Sequence, residues 1–269
     1  MSKKRNKKKR TFGDVLRSII LLAAIGVFLF SAYQLVNIYL EYKKGTDEYD
    51  KIREYVKEPE KEPEKEEPEP EDKEEEEEEL PKAPEIDFAA LKDINPDVVG
   101  WLQMECLEVS YPIVKGKDND YYLHYTFEGQ KNAAGAIFME YTNNSNFEDL
   151  NTIIYGHNMK NGSMFGTFRT LHDQESLSSP YVWICTPEKN YRYEIFSVHT
   201  TSASGDTYTL FSGADQQFAD YLKKMKGESD MELSAEPAAE DKIVTLSTCT
   251  GNDATRFVIQ AKRLPGEYK

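Results

Sequence analysis

A long apolar run near the amino terminus most constrains how this chain can fold. The run from Ile19 to Leu40 is twenty-two residues long, and only Ser31, Gln34 and Asn37 interrupt its apolar character. A helix of this length spans roughly 33 Å, which matches a membrane hydrocarbon core of about 30 Å. The run therefore predicts a transmembrane helix.

Basic residues precede this run and predict its orientation. The first seventeen residues hold eight lysines and arginines against one aspartate, and such residues stay on the cytoplasmic side. We expect residues 1–18 to form a cytoplasmic tail, residues 19–40 to anchor the chain, and the remainder to lie outside the cell. A cleavable signal peptide is the alternative, although its apolar region is typically about 7–15 residues long.

An acidic, proline-rich segment separates this helix from the rest of the chain. Residues 57–79 contain fifteen acidic residues against four basic ones, and they supply much of the net charge of −15. The segment has no large apolar residue whose burial could offset the entropy cost of ordering it. We expect residues 41–84 to be a solvated linker and residues 85–269 to be the folded domain. So acidic an exterior argues against a nucleic-acid partner.

The cysteines and histidines exclude two classes of stabilising site. Three cysteines form no CxxC pair, and an odd number in an extracellular chain argues against a disulfide scaffold. Four histidines without paired spacing argue against a metal site. We expect neither metal nor cofactor.

Short β-type runs dominate the domain and predict a closed or nearly closed barrel. Two helices are expected among them: one between Ser212 and Lys226, with a capping box of Ser212 and Asp215, and a shorter one from Met164 to Leu171. A further short helix should end before Pro96. The strand-like runs are VSYPIVK (109–115), AGAIFMEY (134–141), LNTIIYGH (150–157), YVWIC (181–185), YRYEIFSVHTT (191–201), KIVTLSTC (242–249) and RFVIQAKRL (256–264).

Three residues that could do chemistry stand at the ends of these runs. Cys249 ends one run and Arg256 opens the next after a six-residue loop, so antiparallel pairing would make them neighbours at the rim of the sheet. His157 ends another run and also belongs at a rim. A thiol, an imidazole and a guanidinium can act as nucleophile, proton carrier and oxyanion stabiliser.

The other cysteines and histidines have structural interpretations. Cys106 and Cys185 are expected to be inert core thiols, because cysteine is among the most buried residue types. We expect His124 to lie on a helix surface or in packing, and His172 and His199 to face solvent.

The order of several motifs resembles that of the sortases, and specifically of class B sortases. YGHNM (155–159) is followed by MFGTF (164–168), and TLSTC (245–249) is followed by an Arg-Phe strand. INPDVVGWL (94–102) and YPIVKGKDNDYYLHYTF (111–127) match in order and spacing as well. The resemblance covers roughly Phe88 to Lys262.

The resemblance implies roles for five residues and a detailed fold. Cys249 matches the family nucleophile, His157 the catalytic histidine and Arg256 the catalytic arginine, while Ser247 and Thr248 match positions that line the substrate groove. The implied fold is an eight-stranded β-barrel with amino-terminal helices and a helix between the sixth and seventh strands. One departure is Thr250, which stands where many class B members carry an acidic residue.

The implied activity is that of a cysteine transpeptidase, within the peptidase class of hydrolases. It would cleave a carboxy-terminal sorting signal of surface proteins after Thr and pass the protein to an amine of a peptidoglycan precursor or a pilin, in an envelope of the Gram-positive type. The alternatives are a hydrolytic cysteine protease and a non-catalytic tethered binding module. An NPxTN-like and a PPxTG-like signal both stay open.

Overall fold

The computed structural model describes residues 12–59, 80–173, 177–249 and 254–268. Contacts between Cα atoms divide the chain into two units, Met1–Lys44 and Gly45–Lys269. Most of the predicted acidic linker, from residue 60 to residue 79, lies outside the described residues.

The first unit is the amino-terminal part of a 42-residue helix, α1 (Phe12–Arg53). This helix is long and apolar enough to cross a membrane, and none of its most apolar window is buried in protein. The finding is consistent with the predicted single-pass anchor.

The second unit is built on a closed, eight-stranded barrel, as the sequence predicted. The barrel strands are β3 (Val98–Met104), β4 (Ser110–Val114), β5 (Ile137–Met139), β6 (Asn151–Tyr155), β7 (Tyr181–Cys185), β8 (Asn190–Ser202), β9 (Ile243–Cys249) and β10 (Thr255–Arg263). Their order around the barrel is β10-β8-β7-β3-β4-β5-β6-β9, and β9 pairs with β10 to close it. Pairs β4–β5 and β6–β9 are parallel, and the other pairs are antiparallel.

Helices and short segments complete the second unit. A two-stranded sheet pairs β1 (Val56–Lys57) with β2 (Glu85–Ile86). The shorter helices are α2 (Phe88–Ile94), α3 (Tyr121–His124) and α4 (Gln216–Gly227), and 3₁₀ segments occupy Gly166–Asp173 and Asp206–Tyr208. Helix α2 ends before Pro96 as predicted, and the short helix expected from Met164 to Leu171 is a 3₁₀ helix that begins at Gly166 and ends at Asp173.

Helix α4 lies between the sixth and seventh barrel strands, as the resemblance implied. Phe218, Tyr221, Leu222 and Met225 form its buried face. The predicted capping box is wrong, because Asp215 itself is the N-cap and accepts a hydrogen bond from the Phe218 amide (3.2 Å). The helix therefore begins three residues later than a Ser212 cap would require.

The folded unit begins earlier than the sequence indicated. Gly45, Glu48, Tyr49 and Ile52, all within the predicted linker, are buried. Strand β1, which follows this segment, pairs with β2, which comes after the acidic run in the sequence. The composition of residues 41–84 hid this packing, because a few buried positions among many charged residues carry little apolar signal.

Candidate active site

Strand pairing brings the predicted site residues together at one end of the barrel. Arg256 on β10 is the direct antiparallel partner of Cys249 on β9. On the other side of β9, the parallel strand β6 pairs Tyr155 with Ser247, and the Gly156 amide donates to the Ser247 carbonyl (3.2 Å). His157 follows two residues after Tyr155, as Cys249 follows Ser247, so both stand at the carboxyl ends of parallel neighbours.

The description of Cys249 is limited to its backbone, which ends β9. The Cys249 side chain, Thr250 and the loop to residue 253 lie outside the described part of the chain. The predicted roles of Cys249 and Thr250 therefore stay predictions.

A cavity of about 220 Å³ opens at this end of the barrel. Four predicted residues, His157, Ser247, Thr248 and Arg256, line it. The other lining residues are Asn119, Leu123, Phe138, Tyr155, Gly156, Ala203 and Tyr208. A groove of about 560 Å³ is larger, but among the described residues it contains none of the predicted ones. We assign the site by its chemistry rather than its volume, because of these two cavities it is the smaller one whose described lining combines an imidazole with a guanidinium at the strand end that holds Cys249.

The His157 imidazole is half-buried, and one ring nitrogen has a backbone partner. Nε2 lies 2.8 Å from the Leu123 carbonyl oxygen, which can only accept a hydrogen bond. Nε2 therefore carries a proton in both charge states of the ring, and Nδ1 is the nitrogen left to gain and lose one. Gly156, just before the histidine, packs so tightly that an added Cβ would overlap Ile137 and Phe165.

Arg256 is half-buried, and its Nη1 donates to the Thr255 carbonyl oxygen (2.9 Å). Its positive charge is close enough to Tyr155 to offset part of the rise in the pKa of that residue. A guanidinium stays protonated throughout the accessible pH range. The cavity therefore has a permanent cation on one wall.

Ser247 and Thr248 are almost completely buried, with 1% and 3% exposure. The Ser247 hydroxyl hydrogen-bonds the Tyr208 hydroxyl (2.8 Å). Among the described residues the Thr248 hydroxyl has no hydrogen-bond partner. Both residues line the cavity, but their role in substrate binding stays a prediction.

Two of the lining side chains, Asn119 and Tyr155, belong to a connected polar group around Glu140. Glu140 Oε2 accepts hydrogen bonds from Asn119 Nδ2 (2.6 Å) and from the Tyr155 hydroxyl (3.0 Å). Burial and the Glu140 carboxylate raise the pKa of Tyr155 far above its ordinary value, so the phenol stays protonated. The Tyr155 ring stacks on Tyr208, with centroids 6.3 Å apart.

The sequence reasoning did not assign Asn119, Leu123, Tyr155 or Tyr208 to the site. Asn119, Leu123 and Tyr155 lie inside the motifs that carry the resemblance, so their neighbourhood could have been found. Tyr208 reaches the cavity from the 3₁₀ segment Asp206–Tyr208, outside those motifs, and nothing in local spacing indicates that.

Cys185 is a buried thiol as expected, whereas Cys106 is only half-buried and is not a core residue. Burial raises the pKa of the Cys106 thiol to about 11 and that of Cys185 to about 12, so neither is a thiolate at neutral pH. His124 lies exposed on α3, and the side chain of His172 lies outside the described residues.

The prediction that His199 faces solvent is wrong. His199 is 1% exposed, and its Nδ1 lies 2.9 Å from the Ser197 hydroxyl, which donates to the Met225 carbonyl at the end of α4. Helix α4 packs on this part of β8, so side chains on both faces of the strand are buried there. Burial lowers the pKa of His199 and favours the neutral ring.

Comparison with known proteins identifies the family. The model described as "Sortase domain" matches residues 102–264. The chain belongs to the sortase family, in its class B branch. Sortase B of Listeria monocytogenes is 42% identical over 178 residues, covering 64% of this chain and 72% of that protein. Sortase B of Staphylococcus aureus is 26% identical over 250 residues, covering 91% of this chain and 95% of that protein.

The fold of this class B sortase agrees with solved structures of its relatives. The crystal structure of sortase B from B. anthracis superposes with a TM-score of 0.68 at 33% identity, covering 85% of this chain and 100% of that chain. Membership makes the chain a cysteine transpeptidase of the class that anchors proteins. Its eight-stranded barrel is the sortase barrel.

Proposed function

We propose that this sortase cleaves a carboxy-terminal sorting signal after Thr and transfers the protein to an amine of the cell wall or of a pilin. The observation that carries the proposal is the strand register, which pairs Arg256 with Cys249 and sets His157 beside the same strand end. The identity of the three residue types supports nucleophilic acyl transfer.

The first step forms an acyl-enzyme. The Cys249 thiolate attacks the Thr carbonyl carbon, and a carbon–sulfur bond forms as the carbon–nitrogen bond breaks. The departing amine takes a proton from His157, for which Nδ1 is the available nitrogen because Nε2 is engaged by Leu123. Arg256 offers paired donors to the developing oxyanion or to carbonyl groups of the signal.

The second step regenerates the enzyme. The acceptor amine attacks the thioester carbon and loses its proton to His157, and the carbon–sulfur bond breaks to release the Cys249 thiolate. Ser247 and Thr248 would contact the signal from the cavity floor, since both line it. We assign the acceptor only to a class, a peptidoglycan precursor or a pilin lysine.

The site also has a proposed location. The basic residues before the apolar run and the sorting chemistry both fit a catalytic domain held outside a cell membrane by helix α1. The surface proteins carrying the signal would meet the enzyme there. Neither metal nor cofactor has a step in this mechanism.

Product analysis with a peptide panel tests the proposal. The full chain in detergent is incubated with NPxTN-like and PPxTG-like peptides, with and without a glycine oligomer or a lysine-containing peptide as acceptor. We expect cleavage after Thr for one signal class and a joined product when the amine is present. Hydrolysis unaffected by the amine would favour a cysteine protease, and no cleavage together with no thiol labelling would favour a binding module.

A further inference from the structure

The last turns of helix α1 pack against the barrel unit through a narrow polar and aromatic face. Gly45, Glu48, Tyr49 and Ile52 are spaced by three and four residues, which places them on one side of the helix. Tyr49 is 2% exposed and Ile52 is 1% exposed. This segment belongs to the folded unit although it directly continues the apolar helix.

The Tyr49 hydroxyl has two backbone partners far away in sequence. It donates to the Gly135 carbonyl oxygen (2.7 Å) and accepts from the Phe127 amide (3.2 Å). Burial and the neighbouring Glu48 raise the pKa of Tyr49 well above its ordinary value, so the hydroxyl remains a donor. The phenol thus fixes both ends of the segment between Phe127 and Gly135.

Gly135 in turn lies directly against the His157 ring. Its φ is +57°, and a Cβ added there would lie 3.1 Å from His157 Cδ2 and 2.9 Å from the Leu123 carbonyl oxygen. That carbonyl is the group that accepts from His157 Nε2. Gly135 therefore contacts both the ring and the acceptor that orients it, and only glycine fits this close approach in a left-handed conformation.

We propose that Tyr49 is a positioning residue for the His157 imidazole in the transpeptidation reaction. The proposal rests on the catalytic role of His157 given above. The Tyr49 hydroxyl fixes the position of Gly135, whose backbone packs against the imidazole ring. The ring is thereby held with Nδ1 towards the cavity and with Nε2 hydrogen-bonded to the Leu123 carbonyl oxygen.

A second contact of Tyr49 leads to the segment that follows the histidine. The Tyr49 ring meets Tyr111 edge-on, with centroids 5.3 Å apart. The Tyr111 hydroxyl accepts from the Met164 amide (2.9 Å), and the next amide, of Phe165, donates to the His157 carbonyl oxygen (3.0 Å). Tyr49 is thus connected to the His157 ring through Gly135 and to the His157 backbone through Tyr111.

The test replaces Tyr49 with Phe in the full chain in detergent. This change keeps the ring and its contact with Tyr111 and removes only the hydroxyl. The matched control is Tyr193→Phe, which removes another buried hydroxyl, one that accepts from Arg263 Nε (3.2 Å) and Nη2 (2.9 Å) at the end of β10 remote from Arg256.

Two readouts separate positioning from general stability. We expect Tyr49→Phe to lower kcat for acylation about tenfold with KM within about twofold, since small misplacements of a catalytic group cost rate rather than binding. We also expect the His157 ring resonance, assigned by its absence in His157→Gln, to move in the carbon–proton spectrum. Tyr193→Phe should change neither. Folded and unfolded molecules give separate ring resonances, so a loss of stability in Tyr49→Phe does not obscure the second readout.

An unmoved His157 resonance in Tyr49→Phe would overturn the proposal, and so would a displaced resonance with kcat equal to that of the control. Failure of the catalytic assignment itself is distinguishable. In that case His157→Ala would retain turnover, whatever the spectrum of Tyr49→Phe.

Discussion

The guanidinium of Arg256 is the side chain whose proposed role depends most on geometry. Arginine offers paired donors in a rigid plane, whereas lysine offers a point charge on a flexible stem. If directional hydrogen bonds hold the oxyanion or the signal's carbonyls, Arg256→Lys should slow acylation almost as much as Arg256→Ala does. Losing an oxyanion donor typically slows the reaction by about 100- to 1000-fold.

Single-turnover acylation rates of both variants decide between geometry and charge. The circular dichroism spectrum of each variant serves as the folding control. A lysine variant within a few-fold of the parent would mean that Arg256 acts only through its charge on the thiol.

Glu148 makes a pH-dependent contribution to stability away from the site. Partial burial alone would raise its pKa, but the hydrogen bond from Lys242 and the charge of Arg263 lower the pKa to about 2. The ordinary value is 4.5, so the stabilisation is full above that pH and is lost as pH falls towards 2. The carboxylate is partly exposed, so we expect Glu148→Gln to cost less than about 1 kcal/mol at pH 7.

Urea unfolding of parent and Glu148→Gln at several pH values between 7 and 2 measures this. The difference in unfolding free energy should shrink as pH falls below 4.5. Glu232→Gln, at an exposed position, is the control and should show little difference at any pH. A difference for Glu148→Gln that grows on acidification would contradict the ion-pair account.

At the scale of elements, the carboxyl-terminal turns of α1 are expected to be part of the stable domain. A chain starting at residue 81 lacks the buried Tyr49 and Ile52 and the strand that pairs with β2. Removing one buried aliphatic side chain typically costs about 2–5 kcal/mol, so this chain should unfold at a clearly lower temperature than one starting at residue 45. Equal melting temperatures would show that residues 45–57 add nothing to stability.

The sequence predicted elements well where a local pattern determines them. The runs that became β4 to β10 were all found, since they combine β-branched and aromatic residues with turn signals at their ends. Strand β3 was missed, because VVGWLQM (98–104) follows directly on a helix and a proline and shows no clean alternation.

Features that depend on covering by another element were not predictable. His199 is buried because α4 lies over it, and Glu48 and Tyr49 are buried against residues that lie some 80 positions away along the chain. The same limit applies to the site. Strand ends predicted that Cys249, His157 and Arg256 lie at the rim, but Tyr208 joins the cavity from a 3₁₀ segment that no local pattern places there.

At the scale of the whole molecule, the account requires an anchored enzyme facing outward. We expect the full chain to sediment with membranes when expressed in a Gram-positive host, and protease added to intact protoplasts to remove its catalytic domain. A chain lacking residues 1–44 should be found in the soluble fraction. Protection of the catalytic domain from the added protease would contradict the proposed orientation.

The central claim is that a thioester on Cys249 carries the reaction. The full chain is mixed with a cleavable sorting peptide without acceptor, quenched in acid and mapped by mass spectrometry. We predict a peptide adduct ending at Thr on Cys249 alone, absent in Cys249→Ala and retained in Cys185→Ala, whose thiol is buried with a pKa of about 12. An adduct on Cys106 or Cys185, or undiminished cleavage by Cys249→Ala, would contradict the account.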